Sequence, residues 1–130
     1  MTQARSQTQS IEVDAAPDDV VALLADATRL PEWAPGFADL VVGSRETGWV
    51  ATKNGRDFPV RVPVAVQAGT VDYLRETSPG REAGAYLRAV PRMGGGTVVV
   101  MTLPVLREGD PAEVAAILTE ELSALANLLG

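Results

Sequence analysis

From Phe37 to Leu106 the chain gives turn signals at intervals of about ten residues and no helical periodicity, and then one amphipathic helix runs from Asp110 to about Leu129. The turns are Glu46-Thr47-Gly48, Lys53-Asn54-Gly55, Gln67-Ala68-Gly69, Ser78-Pro79-Gly80 and Met93 to Gly96. Such spacing suits an antiparallel meander. The helix opens on Asp110-Pro111-Ala112-Glu113, an N-cap aspartate followed by proline at the first helical position and an acid in the first turn. Val114, Ile117, Leu118, Leu122, Leu125, Leu128 and Leu129 then form a stripe at helical spacing. The expectation is an α+β domain in which a curved antiparallel sheet of about seven strands wraps around this helix, with the Val114/Leu118/Leu125 stripe on the concave face.

Upstream, Thr8 to Asp14 alternates Ile11 and Val13 against Glu12 and Asp14, as a half-buried strand does. Ala15-Ala16-Pro17-Asp18-Asp19 reads as a helix start, with aspartates at the positive end of the dipole and Val20, Val21, Leu23 and Leu24 as the buried face. Asp26 to Trp33 reads as a second short helical turn, interrupted at Pro31 and closed by Pro35-Gly36. Val60, Val62, Val64 and Val66 form a period-two stripe opposite Pro59, Arg61, Pro63, Ala65 and Gln67, and the two prolines place that strand at an edge or a bulge. A length of 130 residues suits one domain spanning the whole chain, with residues 1–7 as a frayed tail.

Composition excludes several function classes. The net charge is −6 with no basic cluster, so nucleic acid is not expected as a partner, nor is an anionic bilayer. No apolar run approaches the roughly 20 residues needed to cross a membrane, and the polar N-terminus has no signal-peptide core. Cysteine and histidine are both absent. That removes disulfides, thiolate chemistry, a serine–histidine triad and a zinc-hydrolase site, and makes the cytoplasm the default location. No metal or cofactor is expected. Of the 11 basic residues only Lys53 is lysine, a bias that suggests a GC-rich bacterial genome.

Local sequence adds a family resemblance. Ile11-Glu12-Val13-Asp14-Ala15-Ala16-Pro17 followed by Val20 and Leu23-Leu24, and above all Leu30-Pro31-Glu32-Trp33-Ala34-Pro35-Gly36-Phe37, resemble the START-like (SRPBCC) superfamily of polyketide cyclases/dehydrases and lipid carriers. Gly48-Trp49-Val50, Val71-Asp72-Tyr73, Leu87 to Pro91 leading into Gly96 to Val100, and Glu120 to Leu125 extend the likeness over about residues 8 to 129. The resemblance implies the helix-grip fold and an apolar cavity between sheet and final helix, its mouth near the short helices and hairpin tips, usually metal-free. Binders, carriers and several enzyme types share this fold, so activity has to be argued from the site.

Glu121 is the first candidate. It falls within the apolar arc of the final helix beside Ile117, Leu125 and Leu128. A buried carboxylate needs a partner, a proton or a wet cavity, so it is either a cavity acid/base or one half of an ion pair with a sheet arginine. Asp72 and Arg88 would lie nearly opposite across the Ser78-Pro79-Gly80 hairpin, inward as a ligand-orienting pair or outward as a solvated one, and a one-residue slip in register decides which. Tyr73 and Tyr86, on the same strands, offer phenol donors to a ligand or to backbone carbonyls. Trp33 and Phe37, after the short helices, are lid or core aromatics, Trp49 is a further large aromatic and ligand-contact candidate, Met93 and Met101 are gap-fillers, and Leu118 and Leu122 are the helix's contribution to the pocket wall. Gly94-Gly95-Gly96 lacks the lysine of a phosphate loop and reads as a hairpin, while Asp18-Asp19 reads as helix-start charge.

Three function classes follow. The first is a carrier, sensor or store for a small hydrophobic or aromatic molecule, as a monomer or homodimer. The second is a cofactor-free cyclase, dehydratase or isomerase using Glu121, Asp72 or Tyr73 for proton transfer. The third is an interaction module whose groove accepts a partner's apolar segment.

Overall fold

The computed structural model describes residues 6–104 and 110–130. Strand β1 (Ser6–Val13) leads into α1 (Pro17–Ala25), a 3-10 turn (Ala27–Arg29) and α2 (Leu30–Trp33). The strands β2 (Leu40–Ser44), β3 (Gly48–Lys53), β4 (Arg56–Val60), β5 (Val64–Ala65), β6 (Thr70–Ser78), β7 (Arg81–Pro91) and β8 (Thr97–Pro104) follow, and α3 (Pro111–Leu129) closes the chain. Every strand pairing is antiparallel, in a five-stranded sheet ordered β1-β8-β7-β6-β5 and a three-stranded sheet ordered β2-β3-β4. A backbone bridge between Arg61 and Leu74 joins the two into one curved wall, and α3 lies against β1, β8, α1 and α2. This is the expected α+β helix-grip architecture.

The turn residues explain the meander. Asn54 and Gly55 both have positive φ, at 52° and 77°, the backbone that a tight two-residue hairpin requires between β3 and β4. The side chain of Asp110 accepts a hydrogen bond from the Ala112 N–H at 2.9 Å, so the cap forms as the sequence suggests. In α3, Leu118, Leu122 and Leu125 are fully buried, each contributing about 1.5–3 kcal/mol by leaving water. Val114 is only half-buried and Ile117 is exposed, and the first fully buried residue of the helix is Leu118, after two turns.

Several expectations change. Ser6 and Gln7 are not tail: they pair with Pro104 and Leu103, so β1 begins two residues before Thr8 and ends at Val13. There are eight strands among the described residues, because the valine stripe breaks at Val62-Pro63. Val60 is buried in β4, whereas Val66 beyond β5 is 54% exposed. The chain there passes from one sheet to the other, and the two-residue β5 is an edge strand where proline's missing donor costs little. Pro31 sits in the first turn of α2 and does not interrupt it. Met93 is 98% exposed at the β7–β8 hairpin and fills no gap. The expected tail residues 1–5, the strand end at Leu106 and the approach to Asp110 lie outside the described residues.

Candidate functional site

Side-chain parity across β6, β7 and β8 sets which residues face the helix. Val71 pairs with Leu87 and Leu87 with Met101, all three buried, so odd-numbered residues of these strands face inward. Asp72 pairs with Tyr86, Tyr86 with Thr102, and Thr70 with Arg88, which puts Asp72, Tyr86 and Arg88 together on the convex face. There they line a shallow depression with Thr70, Val100 and Thr102, on the far side of the sheet from α3. Asp72 and Arg88 are diagonal neighbours. Burial holds the Asp72 carboxyl above its ordinary range, opposed by the positive charge of Arg88. Neither these two residues nor Tyr86 enters the cavity described next.

On the concave side, α2, the loop through Phe37, strands β6 to β8 and α3 enclose an open cavity of about 440 Å³. Trp33, Phe37, Tyr73, Met101, Ile117 and Glu121 contribute to its wall. The run Ala83-Gly84-Ala85 on β7 forms the floor, where small side chains leave the space that larger ones would fill. A β-carbon on Gly84 would collide with the Tyr73 carbonyl, so the close approach of β6 and β7 depends on glycine.

Tyr73 is buried, and its hydroxyl donates to the Leu24 carbonyl at the end of α1. Burial pushes its phenol above the ordinary range. Its ring meets Trp33 edge to face, 5.8 Å between centroids with planes 65° apart. The donor of Tyr73 is therefore spent on the scaffold. Trp33 is 1% exposed, and its indole N–H is buried without an acceptor among the described residues, an unmet donor in the cavity wall.

Glu121 projects into the same cavity from α3, half-buried. Desolvation pushes its carboxyl up to about 7, with the neighbouring charge of Glu120 acting in the same direction. Among the described residues it takes part in no ion pair, so of the two readings open for it the pairing with a sheet arginine is not formed there. A carboxyl in this state is half-protonated near neutral pH and can donate or accept a hydrogen bond.

Of the other sequence candidates, Leu118 and Leu122 lie in the core beneath the cavity and do not line it. Trp49 faces a separate open groove of about 620 Å³ between the two sheets, with Val60 and Leu74. Sequence reasoning missed Arg75, Lys53, Leu103 and the small-residue floor. The floor had a signal, since Ala83-Gly84-Ala85 carries no bulk to pack in a strand. Lys53 sits at the mouth, donating to the Pro35 carbonyl at 2.8 Å and to Asp39 at 3.1 Å, which pins the loop carrying Phe37 to the β3–β4 hairpin. No cluster of metal-ligating side chains is present among the described residues, and no helix there is long and apolar enough to cross a membrane.

The model of a family described as polyketide cyclase/dehydrase and lipid transport matches residues 4–130. Among solved structures, the chain is similar to a protein from Thermobifida fusca determined by solution NMR, with 23% identity and a TM-score of 0.68, covering 97% of this chain and 93% of that one. It is also similar to the Zhui aromatase/cyclase from a Streptomyces species, with 19% identity, a TM-score of 0.64, and coverage of 96% and 93%. One further similar structure is the di-domain ARO/CYC BexL, at 22% identity and a TM-score of 0.69, where 95% of this chain covers 45% of the other. At these identities the likeness is one of fold. No curated protein sequence matches the chain.

Proposed function

The chain belongs to the polyketide cyclase/dehydrase and lipid-transport family, and on that premise we propose that it is a single START-like domain that binds a small hydrophobic or aromatic molecule as a cytoplasmic carrier, sensor or store. The observation that carries this reading is the cavity itself. It is walled by Trp33, Phe37, Met101 and Leu103, floored by small residues, and large enough for a molecule of a few fused rings or a short acyl chain. Its polar equipment is sparse: one carboxyl from Glu121, a tyrosine already committed to the Leu24 carbonyl, and Lys53, Arg75 and Thr77 towards the rim. Catalysis by proton transfer generally needs a second group placed to receive or supply the proton, and among the described residues Glu121 forms no ion pair with another side chain.

The test is titration of the purified protein with the neutral apolar dye N-phenylnaphthylamine, alongside native mass spectrometry for a co-purified molecule. Binding predicts saturable fluorescence enhancement with one site per chain, abolished in Ala85→Phe, which fills the floor, provided circular dichroism shows that the variant is folded. Enhancement that persists in a folded, filled variant refutes the reading, as does no enhancement at all.

A second reading, a cofactor-free cyclase or dehydratase, is favoured by one observation: a carboxyl at about 7 within a substrate-sized cavity. In that role Glu121 would take a proton from the carbon beside the carbonyl of a β-hydroxy ketone and return it to the hydroxyl, which leaves as water as the carbon–carbon double bond forms. Glu121→Gln separates the two readings. A binder keeps most of its affinity, whereas an enzyme loses turnover while retaining affinity.

A further inference from the structure

The mouth of the cavity carries a charge that simple apolar binding leaves unused. Arg75 follows Tyr73 by two positions on β6, so it lies on the same concave face one step nearer the open end. It lines the cavity. Its guanidinium carbon lies 4.0 Å from the centroid of the Phe58 ring, and Phe58 stacks on Phe37 at 5.6 Å with the rings 5° from parallel. The guanidinium is thereby held over an aromatic shelf, a contact that uses none of its N–H donors, so they remain available to an acceptor at the mouth.

The surrounding charges sharpen the point. The other cation at the rim, Lys53, is held by Asp39 and the Pro35 carbonyl. Among the described residues Arg75 takes part in no ion pair, and the only acidic side chain lining the cavity is Glu121, on α3. The whole chain carries −6, so its long-range field repels anions, and an anion that binds must find a local cation. A fixed guanidinium at the entrance of an apolar cavity is such a cation, with the bidentate geometry that suits a carboxylate.

Resting on the binding reading above, we infer that the ligand is an apolar molecule ending in a carboxylate, its body in the cavity against Trp33 and Met101 and its carboxylate paired with Arg75 at the mouth. The alternative role for Arg75 is purely mechanical, packing Phe58 in place. The two differ in what they do to a ligand without the charge.

The experiment compares pyrenebutyric acid with its methyl ester at about pH 6, where the acid is ionised. Fluorescence titration of the wild type should show the acid binding about tenfold more tightly than the ester, the scale of one charge-assisted hydrogen-bonded contact. Arg75→Ala should weaken the acid to the level of the ester and leave the ester unchanged. Arg75→Lys should keep part of the preference, and Arg88→Ala, which removes the same charge from the convex face, should keep all of it. Circular dichroism reports that a variant is folded; if Arg75→Ala is not, Arg75→Gln gives the same comparison. Equal affinities in the wild type overturn the inference, as does an Arg75 variant that weakens both ligands alike. If neither compound binds the wild type, the cavity reading fails and takes this inference with it.

Discussion

Glu121→Gln removes one ionisable group from the cavity wall while keeping nearly the same shape, and its effect on stability should depend on pH in a defined direction. In the folded chain the carboxyl titrates at about 7, against an ordinary value of 4.5. The unfolded chain releases this proton near the ordinary value, so between those two pH values the folded state binds more protons than the unfolded one. Stability from this group is therefore complete below the unfolded value and declines as pH rises through the folded one. Raising a pKa tenfold in proton affinity corresponds to about 1.4 kcal/mol, which sets an upper bound of about 3.5 kcal/mol here. Because the side chain is only half-buried and faces an open cavity, solvent screening reduces this to about 1–2 kcal/mol. The assay is urea unfolding of wild type and variant, followed by tryptophan fluorescence at about pH 5 and about pH 8. The carboxyls of Asp72, Glu32, Asp39 and Glu82 are common to both proteins, so their contributions cancel in the difference. Glu121→Gln should match the wild type at the lower pH and exceed it by about 1–2 kcal/mol at the higher one. A variant less stable than the wild type at about pH 8 would mean that the carboxylate is ion-paired in the fold. A difference that does not change with pH would refute the desolvation argument.

Three further substitutions test the scaffold. Leu118→Ala and Leu125→Ala, at positions that are fully buried, should each cost about 2–5 kcal/mol in chemical denaturation; losses well below about 1 kcal/mol at both would mean that the sheet does not grip the helix. Tyr73→Phe leaves the Leu24 carbonyl without its donor and should cost about 1–3 kcal/mol while leaving apolar dye affinity within about twofold. A large loss of affinity at unchanged stability would show instead that the hydroxyl serves the ligand.

Particular residues show how far the sequence could be read. Asp110-Pro111 and the leucines after it announced the final helix because capping and helical periodicity are local properties. Asn54-Gly55 announced its hairpin because only certain residues accept positive φ there. Glu121 stood out because a carboxyl in an apolar arc is expensive wherever the arc ends up. By contrast, Asp72 and Tyr73 could not be told apart from sequence. Each is one residue from the other on a strand, and the face that either takes is set by pairing with β7 and β8. That register placed Tyr73 inside and sent Asp72, Tyr86 and Arg88 to the convex surface.

Arg75 is the plainest case of what only the assembled molecule decides. In the sequence it is one of many arginines between turn residues, with nothing local to mark it. It becomes the cation at the cavity mouth because Phe58, on β4 of the other sheet, comes beneath it and Phe37, after α2, comes beneath Phe58. These three residues are far apart along the chain and meet only where the two sheets close into one wall. The sequence alone determined the elements, their caps, their turns and the grip of sheet on helix, since these follow from each residue's backbone preference and the period of its apolar neighbours. The cavity, its floor, the surroundings of its carboxyl and its entrance charge were decided by tertiary structure, because which side chains share a space depends on register and on contacts between distant segments.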